Sequence, residues 1–153
     1  MNAARSARES PRRRLLRALA ASATLLALRP ASATPEELSE ALHKIFGDRP
    51  INVGRVSLEM PRLAENGAVV PVIISVDSPM TEQDYVRSIH LFAEKNPLPR
   101  IFEAQLGPYN GRASITSRVR LATTQKLLAV AVLSDNAVWA ASYEVEVTAS
   151  GCG

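Results

Sequence analysis

One cysteine, two histidines and one tryptophan are all that this 153-residue chain offers of the residues that build disulfides, metal sites and large aromatic anchors. A lone Cys152 excludes an internal disulfide. His43 and His90 lie far apart in sequence, so the close ligand pairs that metal sites use are missing. Gly-rich phosphate loops, G-x-S-x-G elbows and H-E-x-x-H pairs are missing too, which removes the signatures of nucleotide binding, serine hydrolysis and zinc proteolysis. These absences predict a chain with no catalytic residue, no metal ligand and no cofactor of its own. The apolar stretch from Ala18 to Leu28 is 11 residues, too short for a bilayer span of roughly 20.

Charge of one sign is scarce where it would matter for nucleic acids. The formal net charge is +3, from 18 basic and 15 acidic residues. Seven of those arginines (Arg5, Arg8, Arg12, Arg13, Arg14, Arg17, Arg29) and only one acid, Glu9, fall in residues 1–33. From Thr34 onward 11 basic residues (18 − 7) face 14 acidic ones (15 − 1), a formal charge of −3. The excess of positive charge is therefore a property of the leader, and nucleic-acid binding has no basic folded face to rest on.

That leader has the three parts of a secretory signal. A charged start, Pro11-Arg12-Arg13-Arg14-Leu15-Leu16-Arg17, precedes the apolar centre, and Ala31-Ser32-Ala33 supplies small residues at the spacing a signal peptidase accepts. The Arg12-Arg13 pair followed by Leu15-Leu16 resembles the twin-arginine type, a route that exports folded proteins. Residues 1–33 are expected to be removed, with the mature chain beginning near Thr34 in the periplasm.

Thr34-Pro35-Glu36-Glu37 predicts a helix start, with Thr as N-cap, Pro at the first position and Glu three residues after the cap. Leu38, Ala41, Leu42 and Ile45 recur at helical spacing, which makes one face of 35–46 apolar. Gly47 closes the helix and Pro50 prevents its continuation. His43 is expected on the helix surface.

Beyond Pro50 the period becomes two. Strands are predicted at 56–60, 68–76, 86–93, 101–106, 113–120, 126–133 and 138–147. Turn signals such as Glu65-Asn66-Gly67, Asp77-Ser78-Pro79 and Ser134-Asp135-Asn136 separate them. Pro71 inside the second run argues for an edge or a bulge there. Seven or eight short strands at this spacing predict an all-β fold, an immunoglobulin-like antiparallel β-sandwich with a short N-terminal helix. The domain is expected to span 34–147. His90 falls on a strand beside Ser88 and Phe92. Arg118 and Arg120 alternate with Val119, on either a solvated face or a partner contact.

After Val147 no large apolar side chain remains, so Thr148–Gly153 is expected to be a flexible tail. Cys152 sits between Gly151 and Gly153. Glycine on both sides frees the backbone and leaves nothing to obstruct approach to the thiol. A six-residue tail extends about 20 Å at roughly 3.3 Å per residue, enough to enter a narrow pocket on another protein. No Lys, Arg or His lies within the last 25 residues, so nothing local activates the thiol. Either Cys152 carries a covalent group to enzymes that supply the reactivity, or it crosslinks two chains of a secreted immunoglobulin-like assembly module.

Four stretches together resemble the SoxY family, the sulfur-carrying subunits of bacterial thiosulfate oxidation. They are the twin-arginine leader, Glu94-Lys95-Asn96-Pro97-Leu98-Pro99, Ser117-Arg118-Val119-Arg120-Leu121-Ala122-Thr123-Thr124-Gln125-Lys126, and the terminal Gly151-Cys152-Gly153. The family tail usually reads Gly-Gly-Cys-Gly-Gly; here Ser150 stands where the first Gly would be and the chain stops one Gly early. The resemblance implies covalent sulfur attachment at Cys152, flexibility from Gly151 and Gly153, and a non-catalytic carrier. It implies a heterodimer with a SoxZ-type subunit. The enzymes served would be a haem-containing thiosulfate-conjugating enzyme, a sulfate-releasing hydrolase and a sulfur dehydrogenase. A similar carrier serving a different oxidoreductase is the remaining alternative.

Overall fold

Helix α1 (Pro35–Phe46) begins where the capping signals place it. The computed structural model describes residues 34–151; the leader read over residues 1–33, and the terminal Cys152 and Gly153, lie outside the described residues. Thr34 is extended, its Oγ1 accepts from the Glu37 amide at 3.3 Å, and its own amide donates to Glu37 Oε2 at 2.9 Å. Two amides that the helix cannot satisfy are thereby satisfied reciprocally. At the other end Gly47 takes a positive φ of 64°, a conformation cheap only for glycine, and its amide donates to the His43 carbonyl. Arg49 completes the terminus, with Nε and Nη2 donating to the carbonyls of Phe46 and Ile45.

Nine strands follow among the described residues: β1 (Ile51–Val53), β2 (Val56–Glu59), β3 (Leu63–Ala64), β4 (Val70–Val76), β5 (Val86–Ala93), β6 (Arg100–Gln105), β7 (Ser114–Val119), β8 (Gln125–Leu133) and β9 (Val138–Val147). They form two sheets. The larger runs β1-β9-β8-β5-β6, with β3 also on β9; the smaller runs β2-β4-β7. This is the expected immunoglobulin-like sandwich, with one difference. β1 and β3 both pair parallel with β9, whereas an antiparallel arrangement was expected throughout. Neither short strand has an alternating pattern to announce it: Ile51, Asn52 and Val53 are all exposed, and β3 is two residues long.

The core lies between the sheets. Val70, Val72 and Ile74 of β4 point inward against Ile89, Leu91, Leu127, Ala129 and Val145. Burying each large aliphatic side chain contributes about 1.5–3 kcal/mol. On the central strands β5 and β8 both faces are buried, because α1 covers the outer one. Phe46, with Leu38, Ala41, Leu42 and Ile45, packs on Phe92, Val130, Val132, Val138 and Ala140. The helix is thus a third layer, and its apolar face is accounted for.

Pro71 lies in β4, the middle strand of the smaller sheet, where a proline would ordinarily interrupt the ladder. The register removes the difficulty. β2 ends at Glu59, opposite Ile73, so at Pro71 the strand has a neighbour on one side only, Arg118 of β7. Locally it is an edge, as the proline demands.

Candidate functional site

The tail does not leave the domain at Val147. Thr148 continues the β3 pairing, its amide donating to the Ala64 carbonyl at 3.1 Å and its hydroxyl to the Glu65 carbonyl at 3.2 Å. The Ala149 carbonyl then accepts from the Gly67 amide at 2.8 Å, and the Gly151 amide donates to the Leu121 carbonyl at 2.9 Å. Leu121 closes the loop by donating its own amide to the Gly67 carbonyl at 2.8 Å. Gly151 is buried.

Over 148–151 this departs from the expectation of a flexible tail, and of Gly151 as a source of flexibility. The reason is backbone hydrogen bonding, which needs no apolar side chain. Gly151 is glycine here for lack of space: a Cβ on it would overlap the Gly67 carbonyl group and the Ala68 nitrogen. A Cβ on Gly67 would in turn overlap the Leu121 carbonyl and the Gly151 nitrogen. The two glycines lie backbone against backbone. Cys152 and Gly153, the other two residues of the expected site, lie outside the described residues.

The seat for the tail is held by the two internal stretches singled out in the sequence. Asn96 is buried, 8% exposed, at the centre. Its Nδ2 donates to the Arg120 carbonyl at 2.8 Å, and its Oδ1 accepts from the Ala122 amide at 3.0 Å and from Gln125 Nε2 at 2.8 Å. Gln125, 2% exposed, accepts the Lys95 amide on Oε1 at 2.8 Å. Every polar atom of these two side chain amides except one Nε2 and one Nδ2 proton has a named partner. Residues 120 and 122 are thereby pinned on either side of Leu121, the residue that receives Gly151. Thr124 adds a further tie, its Oγ1 accepting the Val147 amide at 2.9 Å. Sequence reasoning took Gly67 only for a turn residue; a seat that spans 66–68, 94–96 and 120–125 is visible only once the strands bring those segments together.

The remaining candidates are structural. His43 is on the helix surface as expected, 3.5 Å from Asp48. His90 is 3% exposed, wedged edge-on against Phe46 and stacked on Phe92. Its Nε2 is 3.0 Å from Ser88 Oγ, while Nδ1 is 3.7 Å from Glu103 and has no hydrogen-bond partner. That order of serine, histidine and carboxylate is not a working triad, since 3.7 Å exceeds a hydrogen bond and Ser88 is buried. Burial pushes the His90 imidazole below its ordinary range; the Glu103 carboxylate opposes that shift and Arg100 adds to it. Arg118 and Arg120 are exposed. No group of three or more His, Cys, Asp or Glu side chains is gathered as a metal site among the described residues, and no helix there is long and apolar enough to cross a membrane.

With that geometry in place, comparison with known proteins locates the chain. The family profile described as "Sulfur oxidation protein SoxY" matches residues 42–152. Among solved structures, the sulfur carrier protein SoxY from Chlorobium limicola f thiosulfatophilum is 28% identical, covers 75% of this chain and 99% of its own, and has a TM-score of 0.63. A superoxide reductase (neelaredoxin) from Ignicoccus hospitalis is 20% identical over 76% of this chain and 95% of its own, with a TM-score of 0.55. A superoxide reductase from Nanoarchaeum equitans is 18% identical over 63% of this chain and 100% of its own, with a TM-score of 0.52. At those identities the two reductases share the fold alone. No match is found among curated proteins.

Proposed function

Because this chain belongs to the SoxY family, sulfur carriers rather than enzymes, we propose that it carries thiosulfate-derived sulfur covalently on Cys152 in the periplasm. The observation that carries this reading is the extent of the family match, which runs from residue 42 through Cys152. The chain contains no other thiol.

On this reading the Cys152 thiol and thiosulfate lose two electrons and one proton to give Cys152–S–S–SO₃⁻, the electrons passing to the haem-containing conjugating enzyme. Water then attacks the outer sulfonate, releasing sulfate and a proton and leaving Cys152–S–SH. Either an acceptor nucleophile takes the outer sulfur as the S–S bond breaks, returning the Cys152 thiol, or a sulfur dehydrogenase oxidises that sulfur with water and receives the electrons. Each step needs a partner's active site, and this chain supplies the tethered sulfur. The second subunit is of the SoxZ type, in a heterodimer. The twin-arginine leader, residues 1–33, accounts for export of the folded protein to the periplasm.

Intact mass of protein from thiosulfate-grown cells tests the carrier role. Wild type is expected to show sulfur or thiosulfate additions that a reducing agent removes. Cys152→Ser is expected to show none and to abolish thiosulfate-dependent turnover, since an alcohol cannot form the persulfide link. Turnover retained in Cys152→Ser would overturn the reading.

A further inference from the structure

We propose that Gly67 and Gly151 form a latch that sets the reach of the carrier cysteine, with Gly67 as a positioning residue. The inference rests on the carrier reading for its purpose but on backbone geometry for its existence. Three bonds make the latch: Gly151 amide to Leu121 carbonyl, Leu121 amide to Gly67 carbonyl, and Gly67 amide to Ala149 carbonyl. They form a chain through the two glycines, and each glycine occupies space that a side chain on the other would need.

The consequence is a change of lever length. With the latch closed, the Cys152 Cα is one step from a buried, hydrogen-bonded Gly151, about 3.8 Å. With the latch open and the Thr148 bonds to Ala64 and Glu65 released, the arm starts at Val147. Cys152 is then five steps away, about 17 Å at roughly 3.3 Å per residue. The closed arm is held through Gly151 at Leu121, within the segment that Asn96 pins; the open arm is long enough to enter a partner's pocket. A free tail would have one broad distribution of reach. A latched tail has two positions, and a partner must compete with the domain's own backbone for the arm.

Gly151→Ala is the variant of choice, since it lies near the chain end and expels the tail without touching the sheets. Amide exchange by NMR on the full-length protein, with its partner subunit where that is needed for solubility, reads the latch directly. Gly67 and Gly151 are expected to exchange about two- to tenfold more slowly than unprotected amides, the factor one net hydrogen bond supplies. In Gly151→Ala both that at Gly67 and that at residue 151 rise to the unprotected rate. A nitroxide attached to Cys152 is expected to broaden the amides of Gly67, Ala68 and Ala122 most strongly in the wild type. In Gly151→Ala that effect is expected to weaken there and spread over more of the surface around Val147. The melting temperature stays within about two degrees. Unprotected exchange at both glycines in the wild type would overturn the latch, as would a nitroxide pattern unchanged by Gly151→Ala. Gly67→Ala is expected to release the tail from the opposite side; protection retained at Gly151 in that variant would also refute it. Failure of the carrier reading shows separately, as missing adducts on Cys152 with the exchange pattern intact.

Discussion

Replacing Asn96 by Ala removes the side chain that pins the seat from within. Three hydrogen bonds are lost at once, to the Arg120 carbonyl, the Ala122 amide and Gln125 Nε2, all at 2.8–3.0 Å. Each is worth about 0.5–1.5 kcal/mol net, and partners left buried without water add to the loss. The site is deep enough for that addition to count, Asn96 being 8% and Gln125 2% exposed. A destabilisation of about 3 kcal/mol is expected. For a domain of this size it lowers the melting temperature by roughly 10 °C, at about 3–5 °C per kcal/mol. Urea unfolding followed by circular dichroism measures it, with the slope unchanged if the two-state transition persists. Gln125→Ala alone is expected to cost less, and the double variant less than the sum, because the two amides share a bond. A loss under about 1 kcal/mol for Asn96→Ala, or strict additivity with Gln125→Ala, would refute the claim that this pair holds the 120–122 segment.

Two further outcomes follow from features of other regions. Burial lowers the His90 imidazole in the folded state, so the neutral form is the one that folding favours. Its stabilisation is present above the unfolded value near 6.5 and is lost as pH falls from there through the folded value. Urea unfolding at pH 7.5, 6.5 and 5.5 is expected to show that decline, with a slope of at most about 1.4 kcal/mol per pH unit for one proton, and His90→Gln is expected to flatten it. A slope that persists in His90→Gln would assign the effect elsewhere. For export, replacing both Arg12 and Arg13 by Lys is expected to leave unprocessed protein in the cytoplasm, visible by fractionation and immunoblot. Normal processing of that variant would remove the twin-arginine assignment.

Much of the fold is legible because local pattern and tertiary environment agree. The Thr34–Glu37 capping box and Gly47 bound the helix from both ends, and β4 alternates inward and outward residue by residue. What is not legible has the opposite property. β1 and β3 are defined by their partner on β9 and by no pattern of their own. β5 is buried on both faces because α1 lies over it, so His90 has no sequence mark distinguishing it from a surface histidine on an alternating strand. At the tail, Gly151 beside Cys152 reads as freedom, and only the approach of Gly67 shows it to be a matter of space. Cys152 stands out in the sequence by its position; the seat that receives Gly151 is tied together by bonds between residues 24 to 30 apart and does not.

The parallel pairing of the first and last strands also decides when the domain can close. Asn52 reaches the Val138 carbonyl across 86 residues, and Thr148 reaches the Glu65 carbonyl across 83. Contacts of such separation form slowly, because the intervening chain must be drawn together before they reward it. β9 follows β1, β3 and β8 in the chain, and all three pair with it. The larger sheet therefore remains open until β9 has been synthesised and is in place. Until then the backbone groups of β1 and β3 that pair with β9 have no strand partner, so the same strand that completes the sheet also removes its open edge.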